Sequence, residues 1–347
     1  MLAFCQVICG REPMTRTVKK ATASDVALLA GVSKWTVSRA FMPGASISEK
    51  AREKVMRIAK ELGYRPNLLA RSLVKKKTHI IGVVIDELKN PHTLMILNEA
   101  TQQLQRRGYM ALILNITDGE PYRSVMTQAD QLQIDGILFL GTVLSAQLIT
   151  LVEDMYNIPL VQLCRNTHAQ GIDVVAIDGY AAGKQIAELL LAQGAQRFGF
   201  MQGPDTPTSH LLRKEGFEAT LQQAGCQIDV LLKAGSYDRA RSWQAMSDYL
   251  HQPDAPAIDA LFCENDVLAL GAMEAMRAAP TRPRIAVVGF DDIEEASAPG
   301  CQLTTFSQRI DLLIAEALNR LIDGRESADE HWRRGEMRVR RSHLRSP

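Results

Sequence analysis

Residues 22–41 read TASDVALLAGVSKWTVSRAF, and this stretch decides what the front of the chain is. Val26, Leu29 and Ala30 recur at helical spacing, which predicts a short helix with an inward apolar face. Gly31 interrupts it where a tight turn between two helices needs a residue that tolerates positive φ. Ser33 follows as an N-cap, its hydroxyl placed to accept from the N–H groups of the next turn, and a second helix is expected over 34–41. There Val37 and Ala40 would face the first helix, leaving Lys34, Trp35, Ser38 and Arg39 outward beside the edge formed by Ser33 and Thr36. Such a face suits the major groove of double-stranded DNA, where Arg and Lys read guanine edges and hydroxyls reach bases or phosphates.

Working outward, 42–67 read MPGASISEKAREKVMRIAKELGYRPN. Pro43 and Gly44 mark a loop, Ser48 caps a third helix, and Ala51, Val55, Ile58, Ala59 and Leu62 line one face of it before Gly63 stops it. The charge distribution agrees with a polyanion-binding head. The net charge is only +1, but residues 1–77 hold 16 Lys/Arg against 5 Asp/Glu (+11) and residues 78–347 hold 24 against 34 (−10). Lysines and arginines that neutralise phosphates release condensed counterions, so the basic front is the part expected to meet nucleic acid.

The AGVS…TVSR core, the YRPN exit and the ARSL segment at 70–73 occur in an order and spacing that resemble the N-terminal domain and hinge of the lactose-repressor (LacI/GalR) family of bacterial transcription regulators. The resemblance implies that Lys34 and Trp35 occupy the variable positions that set operator preference, and that Arg39 reads a guanine. Trp35 either meets a base, a thymine methyl being the fitting contact, or covers the apolar edge of the domain. Residues 67–74, NLLARSLV, are too short to hold a helix alone in water. The resemblance implies that this hinge, with Asn67, Ala70 and Leu73 as DNA-contacting positions, folds when two copies meet in the minor groove. Leu73 would then wedge into the central base step and kink the duplex.

Past Thr78 the chain alternates β-rich runs with amphipathic stretches. Strands are expected at 80–86, 109–117, 135–142, 158–165, 173–178, 197–203, 258–265 and 285–292, with helices such as 94–107 and 181–193 between them. Nearly unbroken apolar strands joined by helical crossovers indicate parallel sheets covered on both faces, and their number asks for two α/β lobes. Ligands of open parallel sheets bind beyond the carboxyl ends of the strands. Polar residues collect there: Asp86, Asn115, Arg165, Asp178, Asn265, Asp266, Asp291 and Asp292.

The family resemblance extends to about residue 322 through NP at 90–91, SHLLRKEGF at 209–217, ENDVLALGAM at 264–273, VVGFDD at 287–292 and LTTF at 303–306. It implies a periplasmic-binding-protein-like core of two lobes with crossing hinge strands, and an effector site containing Arg213, Asn265 and Asp291. A guanidinium fork, an amide and a carboxylate suit a polyhydroxylated ligand. Arg165 matches a position that often touches ligand. Two arginines would suit an acidic or phosphorylated sugar, unless either only neutralises a carboxylate of the site; an unliganded Arg213 is expected to pair with Asp291. Cys164 stands where many members carry aspartate, and His92 and Thr93 where many carry an aromatic pair.

The expected organisation is an extension over 1–18, a helix-turn-helix domain over 19–66, a hinge helix and linker over 67–77, and an effector-binding and dimerisation domain over 78–347. Met14 is a second candidate start. No leucine heptad closes the chain, so a homodimer on a pseudo-palindromic operator is expected. The six cysteines form no CxxC or zinc spacing, which predicts reduced thiols in the cytoplasm and no metal or cofactor. No signal peptide is read, and no apolar run approaches the ~20 residues that cross a bilayer. GYAAGKQ at 179–185 has one residue too few between its glycines for a phosphate loop and reads as the start of a helix. No motif of an enzyme is present. Two rivals stay open: a DNA-binding regulator whose cleft has lost its ligand, and a sugar-binding transport component, which would need a signal peptide and would lack the basic head.

Overall fold

The computed structural model describes residues 20–42, 44–66, 77–116, 122–140, 158–165, 172–205, 211–280 and 284–344. Within the chain two compact units separate, Met1–Lys76 and Lys77–Pro347.

The first unit is built on α1 (Ala23–Ala30), α2 (Lys34–Ala40) and α3 (Glu49–Glu61). Thr22 and Asp25 form a reciprocal capping box at the start of α1, satisfying two N–H groups that a helix end leaves orphaned. Gly31 ends the helix at φ 64°, the left-handed geometry that a side chain would resist. Val26, Ala27, Ala30, Val37, Ala40, Val55, Ile58 and Ala59 pack as one core. The expected face of α1 is corrected in one place: Leu29 is 60 % exposed and Ala27 is buried instead. The buried stripe is centred near Ala27 and Ala30, which turns Leu29 to its margin. Arg52 of α3 donates to the carbonyls of Ala40 (2.7 Å) and Ala45 (3.2 Å), closing the C-terminal end of α2, where four carbonyls lack helical partners.

The second unit holds two sheets. One lobe has the order β2 (Met110–Asn115), β1 (Ile80–Ile85), β3 (Gly136–Phe139), β4 (Leu160–Leu163), β5 (Asp173–Val175), with every pairing parallel. The other has the order β11 (Gly335–Arg338), β10 (Thr304–Gln308), β9 (Ala286–Phe290), β8 (Ala260–Cys263), β6 (Phe198–Gln202), β7 (Ile228–Lys233), parallel except where β11 meets β10. β3, β4, β8 and β9 are buried throughout, as central strands covered on both faces must be. All eight expected strands are present. Two were not anticipated as strands: β7 is a short edge strand with alternating burial, and β10 is rich in threonine; β11, at the other edge, overlaps the MRVRRSHL segment at 337–344 that resembles the last strand of the family fold.

Helix α4 (Pro91–Arg106) begins three residues earlier than its periodicity suggests, because the Asn90 side chain accepts from the His92 N–H and Pro91 fits the first turn. It is followed by α5 (Tyr122–Gln131), α6 (Gly179–Ala192), α7 (Arg213–Gln223), α8 (Arg239–Leu250), α9 (Asp266–Ala278) and α10 (Ile310–Leu318). The chain leaves the first lobe after β5, builds the second, then returns after β10 so that α10 packs on α4, β4 and β5. β11 brings it back again. The two lobes are therefore tied by several crossings, with a cleft between them.

The approach of α6 to α7 sets one wall of that cleft. A Cβ at Gly183 would stand 2.0 Å from the Arg213 carbonyl oxygen, and one at Gly216 2.0 Å from that of Tyr180. These glycines let the two backbones touch, and Arg213 is the first residue of α7. Gly183 thus serves helix packing, while a Cβ at Gly179 would meet the Leu211 carbonyl just ahead of α7.

Candidate functional site

On α2, Lys34, Trp35 and Ser38 are exposed, with Trp35 at 67 %. The Ser33 hydroxyl accepts from the Thr36 N–H (3.1 Å) and lies 2.9 Å from the Thr36 hydroxyl, so both form the helix cap. Arg39 is half-buried, its guanidinium 4.2 Å from the centre of the Trp35 ring. The largely exposed indole thus makes a cation–π contact with the arginine. Asn67, Ala70 and Leu73 lie outside the described residues.

In the second unit, Arg165, Arg213, Asn265 and Asp291 line one cleft, together with His92, Tyr237 and Gln308 among others. The space between its walls is about 470 Å³ when the open solvent at its mouth is included. Arg165 follows β4 in one lobe, and its Nη2 donates across the cleft to the Tyr237 phenol at 2.7 Å. Asn265 follows β8: its Oδ1 caps α9 at the Leu268 N–H (3.0 Å), while its buried Nδ2 has no partner among the described residues. Arg213 is 5 % exposed and lies 3.6 Å from the centre of the Phe290 ring. Its Nη1 donates to the Glu264 carbonyl at 2.5 Å, and its buried Nε has no partner among the described residues.

The expected pairing of Arg213 with Asp291 does not form. Asp291 instead accepts from Gln308 Nε2 (3.0 Å), with His92 Nδ1 at 3.5 Å. Both Asp291 (φ 113°) and Asp292 (φ 57°) adopt the left-handed region, a conformation costing on the order of 1–3 kcal/mol for each such residue. The turn is pinned by the Asp291 N–H on the Phe306 carbonyl (2.8 Å) and by Arg340 on the Asp292 carboxylate (2.6 Å). That geometry aims the Asp291 carboxylate.

Other strand-end residues do structural work. Asp178 caps α6. Asp266 accepts from the Ile293 N–H (2.9 Å) and the Thr305 hydroxyl (2.6 Å). Neither Asn115 nor Asp86 lines the cleft. Tyr237 and Gln308 were missed because β7 and β10 were not recognised as strands; the strand-end rule applied to them would have found both.

Burial holds the Cys164 thiol up at about 12, with nearby Asp291 adding to the effect, so the cleft wall there is neutral and unreactive. Burial also raises the Glu264 carboxyl and the Tyr237 phenol. His92 is pushed below its ordinary 6.5 by burial, which outweighs the opposing influence of Asp291. The unfolded chain thus takes up a proton near that pH that the native ring refuses. The neutral ring's contribution to stability is full above the unfolded pKa and declines as pH falls toward the native one. His92→Gln should flatten the acid side of the stability–pH curve by up to about 1.4 kcal/mol per pH unit. Denaturant melts between about pH 5 and 7 check this, and an unchanged slope would refute it.

Residues 78–333 match the model of the periplasmic binding proteins and sugar binding domain of the LacI family, and residues 22–67 that of the bacterial regulatory proteins, lacI family. The chain belongs to the LacI family. It is 33 % identical to the ribose operon repressor of Escherichia coli (strain K12), covering 87 % of this chain and 92 % of that protein. With the HTH-type transcriptional regulator DegA of Bacillus subtilis (strain 168) it shares 31 % identity over 86 % of this chain and 89 % of the relative. The lac repressor dimer bound to operator and the anti-inducer ONPF superposes with a TM-score of 0.83 at 26 % identity, covering 94 % of this chain and all of that one. The protein is a DNA-binding transcriptional regulator with a small-molecule-binding domain, and its relatives are regulators, not enzymes. No helix among the described residues is long and apolar enough to cross a membrane.

Proposed function

We propose that the protein is a cytoplasmic repressor that binds a pseudo-palindromic operator as a homodimer and responds to a sugar or sugar derivative in the interlobe cleft. In this reading residues 19–66 are the DNA-reading head, 67–77 the hinge and 78–347 the effector and dimerisation domain, with 1–18 an extension. Ser33, Lys34, Trp35, Thr36, Ser38 and Arg39 meet the major groove, and Asn67, Ala70 and Leu73 the minor groove. Arg165, Arg213, Asn265 and Asp291 hold the effector, which acts by binding one arrangement of the lobes better than the other.

The observation that carries the reading is the cleft itself: polar groups from both lobes converge there, and two of its donors, Arg213 Nε and Asn265 Nδ2, have no partner among the described residues. Buried donors left unmade are costly, and a hydroxylated ligand supplies their acceptors. A thermal-shift panel of sugars, sugar acids and sugar phosphates tests it. A ligand at about 100 times its Kd stabilises by about 2.7 kcal/mol, a rise of several degrees in Tm. The same ligand must change affinity for an operator selected from genomic fragments. Silence across the panel favours a second reading, for which the neutral Cys164 in the wall speaks: a DNA-binding regulator without a working effector site.

A further inference from the structure

We propose that Arg340 is a positioning residue of the cleft: by holding Asp292 from outside, it fixes the turn that aims the Asp291 carboxylate inward. This rests on reading the cleft as the effector site, and it assigns part of that site's shape to a segment that does not line it.

Two adjacent residues other than glycine do not stay in the left-handed region unaided, and Asp291 and Asp292 are such a pair. Charge works against the turn as well. Asp266 is fully buried nearby; burial raises its carboxyl well above the usual range, with Asp291 adding to the effect and Asp292 adding less. Three carboxylates therefore crowd one corner of the second lobe. The counter-charge for Asp292 comes from the chain after β10. Arg340 Nη2 donates to its Oδ1 at 2.6 Å, and Arg338 Nε stands 3.5 Å from its Oδ2. Arg338 is 47 % exposed and its Nη2 is already 2.6 Å from Glu336, whereas Arg340 is 19 % exposed, so Arg340 is the principal partner and the less screened one.

Arg340 is itself anchored. Its Nη1 donates to the Leu303 carbonyl (2.8 Å) and its backbone N–H to the Thr304 hydroxyl (2.8 Å). Two residues on, the Ser342 hydroxyl donates to the Val287 carbonyl (2.6 Å) and accepts from the Thr304 N–H (2.7 Å), while buried His343 holds the Thr304 hydroxyl at 2.8 Å through Nδ1. Residues 338–343 thus form a strap against β9, which leads into the turn, and β10, to which the Asp291 N–H is bonded. Arg340 is not among the residues lining the cleft, so its substitution removes no contact to an effector. It leaves the half-buried Asp292 carboxylate beside two others without its main counter-charge, and repulsion then loosens the turn and turns Asp291 away from the cleft.

The test compares the full-length parent, Arg340→Met and Arg340→Met with Asp292→Asn, well below their melting temperatures. Asparagine removes the crowding charge and tolerates the left-handed region. Hydrogen exchange of the Asp291 to Ile293 amides should quicken about tenfold or more in Arg340→Met while the amides of α4 keep the parent rate, and the added Asp292→Asn should restore protection. Calorimetric titration with D-ribose, D-glucose, gluconate and glucose 6-phosphate gives the second readout. Whichever of these binds the parent should bind Arg340→Met about tenfold or more weakly and recover in the double variant, whereas loss of a merely structural ion pair leaves the affinity of the folded protein unchanged. Should Arg340→Met fail to fold, Arg340→Lys gives the same comparison at about threefold, since it keeps a charge but loses the fork that holds Asp292 and the Leu303 carbonyl together. Turn amides at the parent rate, or undiminished affinity in a protein whose turn has loosened, would overturn the proposal and leave the effector site standing. Failure of all four compounds to bind the parent would count against the effector reading, and the exchange rates, which need no ligand, would still decide whether Arg340 holds the turn.

Discussion

Arg39→Ala is expected to leave a protein that still binds duplex DNA at low salt but scarcely prefers its operator to a scrambled duplex. A bidentate arginine–guanine contact is worth about 1–3 kcal/mol of discrimination, and a symmetric dimer makes it twice. Two such losses predict a fall in specificity on the order of a hundredfold or more, while background binding through the remaining lysines and arginines persists and stays salt-dependent. Anisotropy titrations with operator and scrambled duplex at several salt concentrations read both quantities. Retained discrimination would remove Arg39 from base reading. The cation–π contact of Arg39 with Trp35 at 4.2 Å makes the indole part of the same device, because a guanidinium already in contact with a neighbour loses less freedom on meeting a guanine.

Gly183→Ala is expected to destabilise the second unit more than its one added methyl suggests. The new Cβ would stand 2.0 Å from the Arg213 carbonyl oxygen and 2.8 Å from the Phe217 nitrogen, and both are backbone atoms that no rotamer change can move. Overpacking typically costs about 1–3 kcal/mol, and a clash with main chain belongs at or above the top of that range. With a fall in Tm of about 2–4 °C per kcal/mol for domains of this size, a loss of about 6 °C or more is expected. Any effector that raises Tm in the parent should also lose its effect, since α7 carries Arg213. Gly300→Ala, with nothing within 4 Å, is the matched control. A Gly183→Ala protein that melts with the parent would show that α6 and α7 separate freely.

Much of this was legible in the residues. The glycine turn, the Ser33 and Ser48 caps and the apolar face of α3 are local features set by helix geometry and orphaned N–H groups, and all appear as read. The error at Leu29 came from treating every apolar residue at helical spacing as buried, where only neighbours could say which edge of the stripe faced the core. Strands buried on both faces announce themselves by unbroken apolar runs; β7 at the sheet edge alternates, and with it Tyr237 passed unnoticed. The pairing of Arg213 with Asp291 failed for a related reason. An ion pair needs its two groups aimed at each other, and the left-handed turn at Asp291 sends its carboxylate to Gln308 and His92.

Family membership, the basic reading head and the two-lobed body were therefore written into the order of residues, because periodicity, capping and charge act between near neighbours in the chain. Which buried donors remain without acceptors among the described residues and which glycines let two helices touch were settled only by folding. Those properties depend on distances between residues far apart in sequence, and spacing along the chain carries no measure of them.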